Sequence, residues 1–260
     1  MKRLYGVLRP GESWDAYWGS IDVEENLRYC TGDQVLSVFR RYLCKDQLVL
    51  EAGCGLAKWV IHLTAEGYHI IGLDNHQRSL ERAQAFCEHL LLTGGSVTEL
   101  PFRDDSLDAY ISLGVIEHFE EGPARALSEA YRILRPGGIA IIETPYDNTL
   151  RRLVTNHVID AVRLAKQALG REYRFAEYRF TVRELASFVR EAGFAILALQ
   201  PKDYDQPEKS IGLFMDAPIL RNSSGATFEL NTLGRFTKRM LAGLSPWIFS
   251  ACVVCIAQKD

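Results

Sequence analysis

The chain has 260 residues, 47% of them hydrophobic and 24% charged, the proportions of a globular protein long enough to bury a core without disulfide or metal staples. Its formal net charge of −3 argues against a polyanion partner on average, yet the average conceals a division. Residues 1–150 hold 14 Lys/Arg against 22 Asp/Glu, and residues 151–260 hold 16 against 11, with most of the positive excess in 151–183 at 8 against 3. A uniform surface is excluded, and one basic segment asks for an explanation.

The longest mainly apolar run, 247–257, is far too short to span a bilayer. No apolar stretch follows Met1-Lys2-Arg3, so no signal peptide is expected, and the six cysteines read as reduced thiols of a cytoplasmic protein. Cys252 and Cys255 form a C-x-x-C inside an apolar strand-like run. Three-residue spacing in a strand sends two side chains to opposite faces, so a structural role is expected rather than zinc or redox work.

In chain order, residues 1–30 are rich in aromatics without a clean period, and 33–43 has helical spacing. Strand-length apolar runs at 47–51, 69–74, 109–113 and 139–143 then alternate with helical patterns at 57–66, 77–92 and 123–134. That alternation predicts a parallel, doubly wound α/β sheet. Beyond it, 149–169 reads as an amphipathic helix stopping at Gly170, and 182–192 as another helix. Runs 194–199 and 251–257 read as closing strands, with a polar loop at 222–225 and a helix near 233–241 between them. Glu-Tyr-Arg-Phe occurs at 172–175 and again at 177–180, too short a duplication for a repeat architecture.

Val49-Leu-Glu-Ala-Gly-Cys-Gly55 is a strand entering a glycine-rich turn ahead of a helix. Glycines allow close backbone approach to a ligand, and a helix N-terminus favours negative charge. A dinucleotide fingerprint requires a third glycine where Lys58 stands, which makes a dehydrogenase improbable. Glu51 at the strand end would repel a pyrophosphate but suits a ligand carrying an ammonium group. Asp74 ends the next strand, where a carboxylate can accept both hydroxyls of a ribose, or cap the helix that follows.

With these elements in place, the chain resembles the class I S-adenosylmethionine-dependent methyltransferases of the small-molecule type. Glu51-x-Gly53-x-Gly55 resembles their first motif and Asp74 their ribose-binding acid. Gly95-Ser-Val-Thr-Glu-Leu-Pro-Phe102 resembles the adenine-side segment, and Asp104-Asp-Ser-Leu-Asp108 leads into the fourth strand, followed by Ser112-Leu-Gly-Val-Ile-Glu-His118. Leu134-Arg-Pro-Gly-Gly138 precedes the fifth strand. The resemblance runs from about residue 47 to 145 and resumes at 180–194. Ala57, Asn75 and Ser96 depart from it, at positions usually held by glycine, an apolar residue on adenine, and an acid.

The resemblance implies a seven-stranded sheet with its last strand antiparallel, and S-adenosylmethionine as cofactor, leaving as S-adenosylhomocysteine. Cofactor contacts are expected from Glu51, Gly53, Cys54, Gly55, Asp74, Asn75, Ser96 and Val97, with Leu113 near the methionine end. Glu117 and His118 follow the fourth strand at the ligand-binding edge, and His118 is the general-base candidate because imidazole titrates near neutrality. Their alternative role is to line the pocket or order the next helix. Some relatives carry E-x-x-E-H here for a divalent metal; this chain reads Gly114-x-x-Glu117-His118, so no metal is expected.

The acceptor is expected to be a small molecule methylated on O or N, lying among Trp14, Trp18, Tyr146, Arg151 and Arg152. Cations in the first turn of a helix oppose its dipole, which suggests use on an anionic acceptor. A membrane contact through 149–179, or a merely solvated helix face, are the other readings of the basic segment. An RNA methyltransferase and a non-catalytic cofactor-binding scaffold stand as rival functions, the first weakened by the lack of a nucleic-acid-binding module. One domain is expected: an aromatic cap at 1–32, a cofactor-binding core at 33–146, a basic helical insert or lid at 147–180, and 181–260 completing the sheet with an insert at about 202–250.

Overall fold

The computed structural model describes residues 1–7, 14–223 and 227–260, with Val7, Trp14 and Asp15 described by their backbone alone. The strands are β1 (Lys2–Val7), β2 (Leu48–Ala52), β3 (His69–Asp74), β4 (Leu91–Gly94), β5 (Leu107–Leu113), β6 (Leu134–Pro145), β7 (Tyr173–Arg179), β8 (Phe194–Lys202) and β9 (Cys252–Lys259). The helices are α1 (Trp14–Gly19), α2 (Val23–Arg28), α3 (Val35–Tyr42), α4 (Lys58–Ala65), α5 (Gln77–Phe86), α6 (Ala124–Ile133), α7 (Asn156–Ala168), α8 (Val182–Glu191), α9 (Ile211–Asp216) and α10 (Thr232–Leu244).

Seven strands form one sheet in the order β4-β3-β2-β5-β6-β9-β8. β2 through β6 pair in parallel, while β9 runs antiparallel to both β6 and β8. This is the doubly wound sheet expected, with the reversed strand β9 inserted second from one edge. Alternation along the strands splits the core in two. Val49, Ile70, Ile111 and Ile141 face α3, α4 and α5, which contribute Phe39, Trp59 and Leu80. Leu50, Tyr110, Ala140 and Ile142 face α6 and α8, which contribute Leu127, Ile133, Leu185 and Val189. Along α6, Leu127, Ala130 and Ile133 recur every three residues, and along α8 Leu185 and Val189 are four apart, the spacing that places them on one face. Local signals fix the ends: Asp22 accepts from Glu25 N at the start of α2, and Thr181 with Glu184 forms a capping box on α8.

Two differences from the sequence reading concern topology. The helix expected over 77–92 stops at Phe86, and Leu91–Gly94 leaves it to become the edge strand β4. Cys87 takes extended dihedrals, so the apolar residues beyond it switch from a helical to a strand period. The second difference is a separate two-stranded sheet, β1 with β7, which pairs Lys2 with Arg179 and Val7 with Tyr173. The repeated Glu-Tyr-Arg-Phe lies along this β7 ribbon.

The segment after β6 begins in a π-helical turn, Arg151–Thr155, before α7. Between β8 and β9 the chain builds a satellite core of Leu213, Leu220, Leu230 and Phe249, on which Leu150 also packs. Cys255 is buried in the sheet core, and Cys252 points the other way beside Glu143, the arrangement expected of a strand pair. The polar loop expected at 222–225 lies partly outside the described residues.

Candidate functional site

The site is assembled at the carboxyl ends of the parallel strands. β2 ends in Glu51-Ala52, and Gly53 and Gly55 then take positive φ values of 81° and 54°. A Cβ on Gly53 would fall 2.5 Å from a Val115 methyl, and one on Gly55 2.5 Å from the Trp18 ring. Both glycines are therefore required by conformation and by space. Ala57, which follows the turn, adopts the same left-handed conformation at φ 55° and buries its methyl in the core with Val60 and Leu63. The methyl of this departure from glycine thus points into the protein.

Asp74 at the end of β3 braces the turn. Its Oδ2 accepts from Gly55 N at 2.7 Å and its Oδ1 accepts from His76 N at 2.8 Å. Each carboxylate oxygen keeps a second lone pair, so holding the turn and receiving hydroxyls are compatible. Glu51 is 4% exposed and its Oε2 has no hydrogen-bond partner. Burial pushes its pKa up to about 8, against the opposing pull of the Lys58 charge and the Val60 backbone. A buried carboxyl with one oxygen unpartnered beside a glycine turn fits the ammonium end of an amino-acid-like ligand.

At the ends of β3, β4 and β5, Val97 is buried in the core, Asn75 is exposed, and Leu113 and Ser96 are half-buried. The Ser96 hydroxyl is turned into its own loop, 2.8 Å from the Thr98 hydroxyl and accepting from Thr98 N at 3.2 Å. Cys54 is buried, and burial holds its thiol far above the ordinary value.

After β5 the chain turns through Gly114 into a short 3₁₀ segment, Ile116–His118. Glu117 is 2% exposed with Oε2 unpartnered. Burial raises its pKa well above the carboxylate range, and the charges of Glu177 and Glu143 push the same way. His118 lies partly exposed beside it, with Nδ1 3.0 Å from the Ala176 carbonyl and Nε2 3.9 Å from Glu117 Oε1. A carbonyl only accepts, so Nδ1 carries the proton and Nε2 is the basic nitrogen of the neutral ring.

The residues expected around the acceptor separate. Tyr146 is buried, edge-on to Trp247 with ring centroids 5.4 Å apart, and Arg152 is exposed and near enough to act on the Tyr146 hydroxyl electrostatically. Arg151 goes elsewhere. It is 3% exposed, with Nε 2.7 Å from Asp216 Oδ2 and Nη1 donating to the carbonyls of Tyr146 and Ala251. These partners tie the strand end to the satellite core and account for a cation in a first helical turn without an anionic ligand. Trp18 lies over Gly55 at the glycine turn, and the Trp14 side chain is outside the described residues.

Three features were not anticipated from sequence. Arg82 on α5 clamps α1 by donating to the carbonyls of Trp18 and Ile21. Lys202, Glu143 and Asp33 form a buried ion cluster at 2.7 and 2.9 Å, joining β8, β6 and the start of α3. Arg179 is buried, with Nε and Nη1 unbonded and Asp216 and Glu177 3.7 and 3.9 Å away. Each depends on partners distant in sequence, and only the acidic and basic residue types at strand ends hinted at them.

Comparison with known proteins agrees with this geometry. Residues 50–142 match the family model described as a methyltransferase domain. A probable S-adenosylmethionine-dependent methyltransferase of Mycolicibacterium smegmatis is 34% identical over 102 residues, 39% of each chain. A malonyl-[acyl-carrier protein] O-methyltransferase of Yersinia pestis is 32% identical over 136 residues, 52% of this chain and 49% of that one. The chain spans about half the length of the curated relatives it matches. In fold, it is similar to the structure of a complex between a Haloferax volcanii Trm112 methyltransferase activator and a methyltransferase, with TM-score 0.65 and 18% identity over 97% of this chain and 99% of the other. A possible histamine N-methyltransferase of Thermotoga maritima gives TM-score 0.55 at 20% identity, covering 95% of this chain and 99% of that one. Over residues 50–142 the chain is thus similar to the class I S-adenosylmethionine-dependent methyltransferase superfamily. S-adenosylmethionine is the cofactor of that superfamily, and the glycine cradle, the unpartnered Glu51 oxygen and the braced Asp74 fit it.

Proposed function

We propose that this chain transfers a methyl group from S-adenosylmethionine to an O or N atom of a small molecule. The observation that carries the reading is the convergence of Glu51, the Gly53–Gly55 turn, Asp74 and the Glu117–His118 pair on one edge of the sheet. When bound, the cofactor supplies a methyl made electrophilic by a sulfonium.

The chain's own contribution is orientation and proton handling. Glu51 meets the ammonium of the cofactor, Asp74 its ribose hydroxyls, and the Gly53–Gly55 backbone permits close approach. Ser96 and Val97 border the adenine with Asn75 at its rim, and Cys54 and Leu113 line the methionine side. His118, its Nδ1–H fixed on the Ala176 carbonyl, takes the acceptor's proton at Nε2 when the acceptor atom carries one. Glu117, whose pKa burial raises well above the carboxylate range, lies beside that imidazole.

The acceptor is read as an anionic or lipid-like small molecule, with Tyr146 and Arg152 at its edge and 149–179 in contact with it or with a membrane that carries it. Arg152 is the exposed cation of the pair first considered, and Arg151 is committed to Asp216.

Calorimetric titration with S-adenosylhomocysteine tests the cofactor half. Saturable binding that weakens in Asp74→Asn supports it, and absence of binding disposes of the proposal. Transfer of labelled methyl to a panel of small carboxylates, amines and quinol-like lipids tests the other half. Tight cofactor binding with no transfer to any class would favour a scaffold.

A further inference from the structure

α10 presents its faces the reverse way for a helix that only packs. Its inward side carries Gly234, Lys238 and Leu241. A Cβ on Gly234 would lie 2.6 Å from the Leu220 carbonyl oxygen, so the helix sits as close as glycine allows. Lys238 Nζ donates to the carbonyls of Tyr204, Gln206 and Lys209, each at 2.6 Å. The outward side carries Leu233, Phe236, Met240 and Leu244, which are 55, 63, 56 and 75% exposed. Steps of three, four and four residues put these four on one stripe.

A buried ammonium is tolerated only when its donors are satisfied, and here three carbonyls satisfy it. The fold thus accommodates the costly side chain inside and leaves the large apolar ones in water. Contiguous apolar surface of this kind marks a face that something else covers. Ile219, in the short helix Pro218–Leu220 that α10 adjoins, is 77% exposed, and Met215 just before it is 53% exposed.

We infer that α10 docks this protein on an anionic bilayer surface. Charge selects the occupant. Arg235 and Arg239 are exposed immediately before Phe236 and Met240, and residues 232–244 include no acidic residue. Arginines beside an apolar stripe suit a layer of acyl chains under phosphate headgroups, where their stems lie along the apolar region and their heads reach the phosphates. A second copy of the chain meeting through the same stripe would set these arginines against their own kind. The satellite core that seats α10 also seats Leu150 at the head of α7, whose helical stretch exposes Val154, Val158 and Val162 at four-residue steps. The inference extends the membrane contact proposed for 149–179 to a different helix, and it stands without the catalytic reading.

Co-sedimentation of the whole chain with phosphatidylcholine vesicles, with and without about one-third phosphatidylglycerol, tests it. Binding is expected to the anionic vesicles and to fall with added salt. R235Q/R239Q should weaken it about 30-fold, at ~1 kcal/mol for each basic residue near a charged surface. F236S/M240S should abolish it. Both variants alter exposed side chains, and unchanged melting and S-adenosylhomocysteine binding would show that fold and cofactor site are intact. Failure of the wild-type chain to pellet with anionic vesicles at low salt overturns the inference. So does vesicle binding that F236S/M240S leaves unchanged, or a dimer in light scattering that the same variant abolishes.

Discussion

The cofactor contact proposed for Glu51 has a measurable consequence. Its ordinary value of 4.5 rises to about 8 because the carboxyl is buried. At pH 7 it is therefore about nine-tenths protonated in the ligand-free protein. An ammonium placed against the unpartnered oxygen returns it to carboxylate, so binding S-adenosylhomocysteine at pH 7 should release close to one proton. Titration in phosphate and in Tris at the same pH measures this, because the two buffers take up a proton with different heats. Glu51→Gln keeps the shape and removes the titration. It should abolish the buffer dependence and weaken binding by about 10- to 100-fold, the worth of a hydrogen bond to a charged group. The same shift makes a stability prediction. The folded state holds a proton that the unfolded chain has already lost between pH 4.5 and about 8, so the ligand-free protein should lose stability as pH rises through that window. The loss attributable to Glu51 is at most ~5 kcal/mol, and Glu51→Gln should remove it. Identical binding heats in the two buffers for the wild-type chain would refute the reasoning.

Other outcomes follow from the same contacts. Arg151→Ala strands Asp216 and should destabilise the fold by about 3–5 kcal/mol in urea unfolding, while R151M/D216L recovers most of that. Gly55→Ala combines a left-handed φ with a Cβ 2.5 Å from the Trp18 ring. It should cost at least ~1–2 kcal/mol, and Trp18→Ala in the same chain should relieve the steric share. His118→Ala should lower kcat by about 10²–10⁴-fold for an acceptor that must lose a proton. Cofactor affinity should be unchanged.

The sheet was legible because its evidence is local. The run from Val49 to Gly55 predicts strand, turn and helix within seven letters, and Asp74 closes the next unit in the same way. β4 was not legible, since apolar residues at 83, 86, 87, 90 and 91 prolong a helical rhythm past the point where the backbone leaves it. The pairing of Lys2 with Arg179 has no local signal at all. Arg151 illustrates the limit at the site. Its position against the helix dipole was read as ligand binding, but the answering charge, Asp216, is 65 residues away. α10 shows another limit. A helix near 233–241 was expected, and that expectation alone does not say which side faces the protein.

β9 hydrogen-bonds to β6 on one side and β8 on the other, although it follows both in the chain. As the polypeptide leaves the ribosome, β6 and β8 both precede the strand that joins them. Until residues 252–259 arrive, the apolar face of β8 and its helix α8 have no continuous sheet to rest on. Between Lys202 and Cys252 the chain lacks this link, and β9 acts as the stitch that joins two otherwise separate pieces.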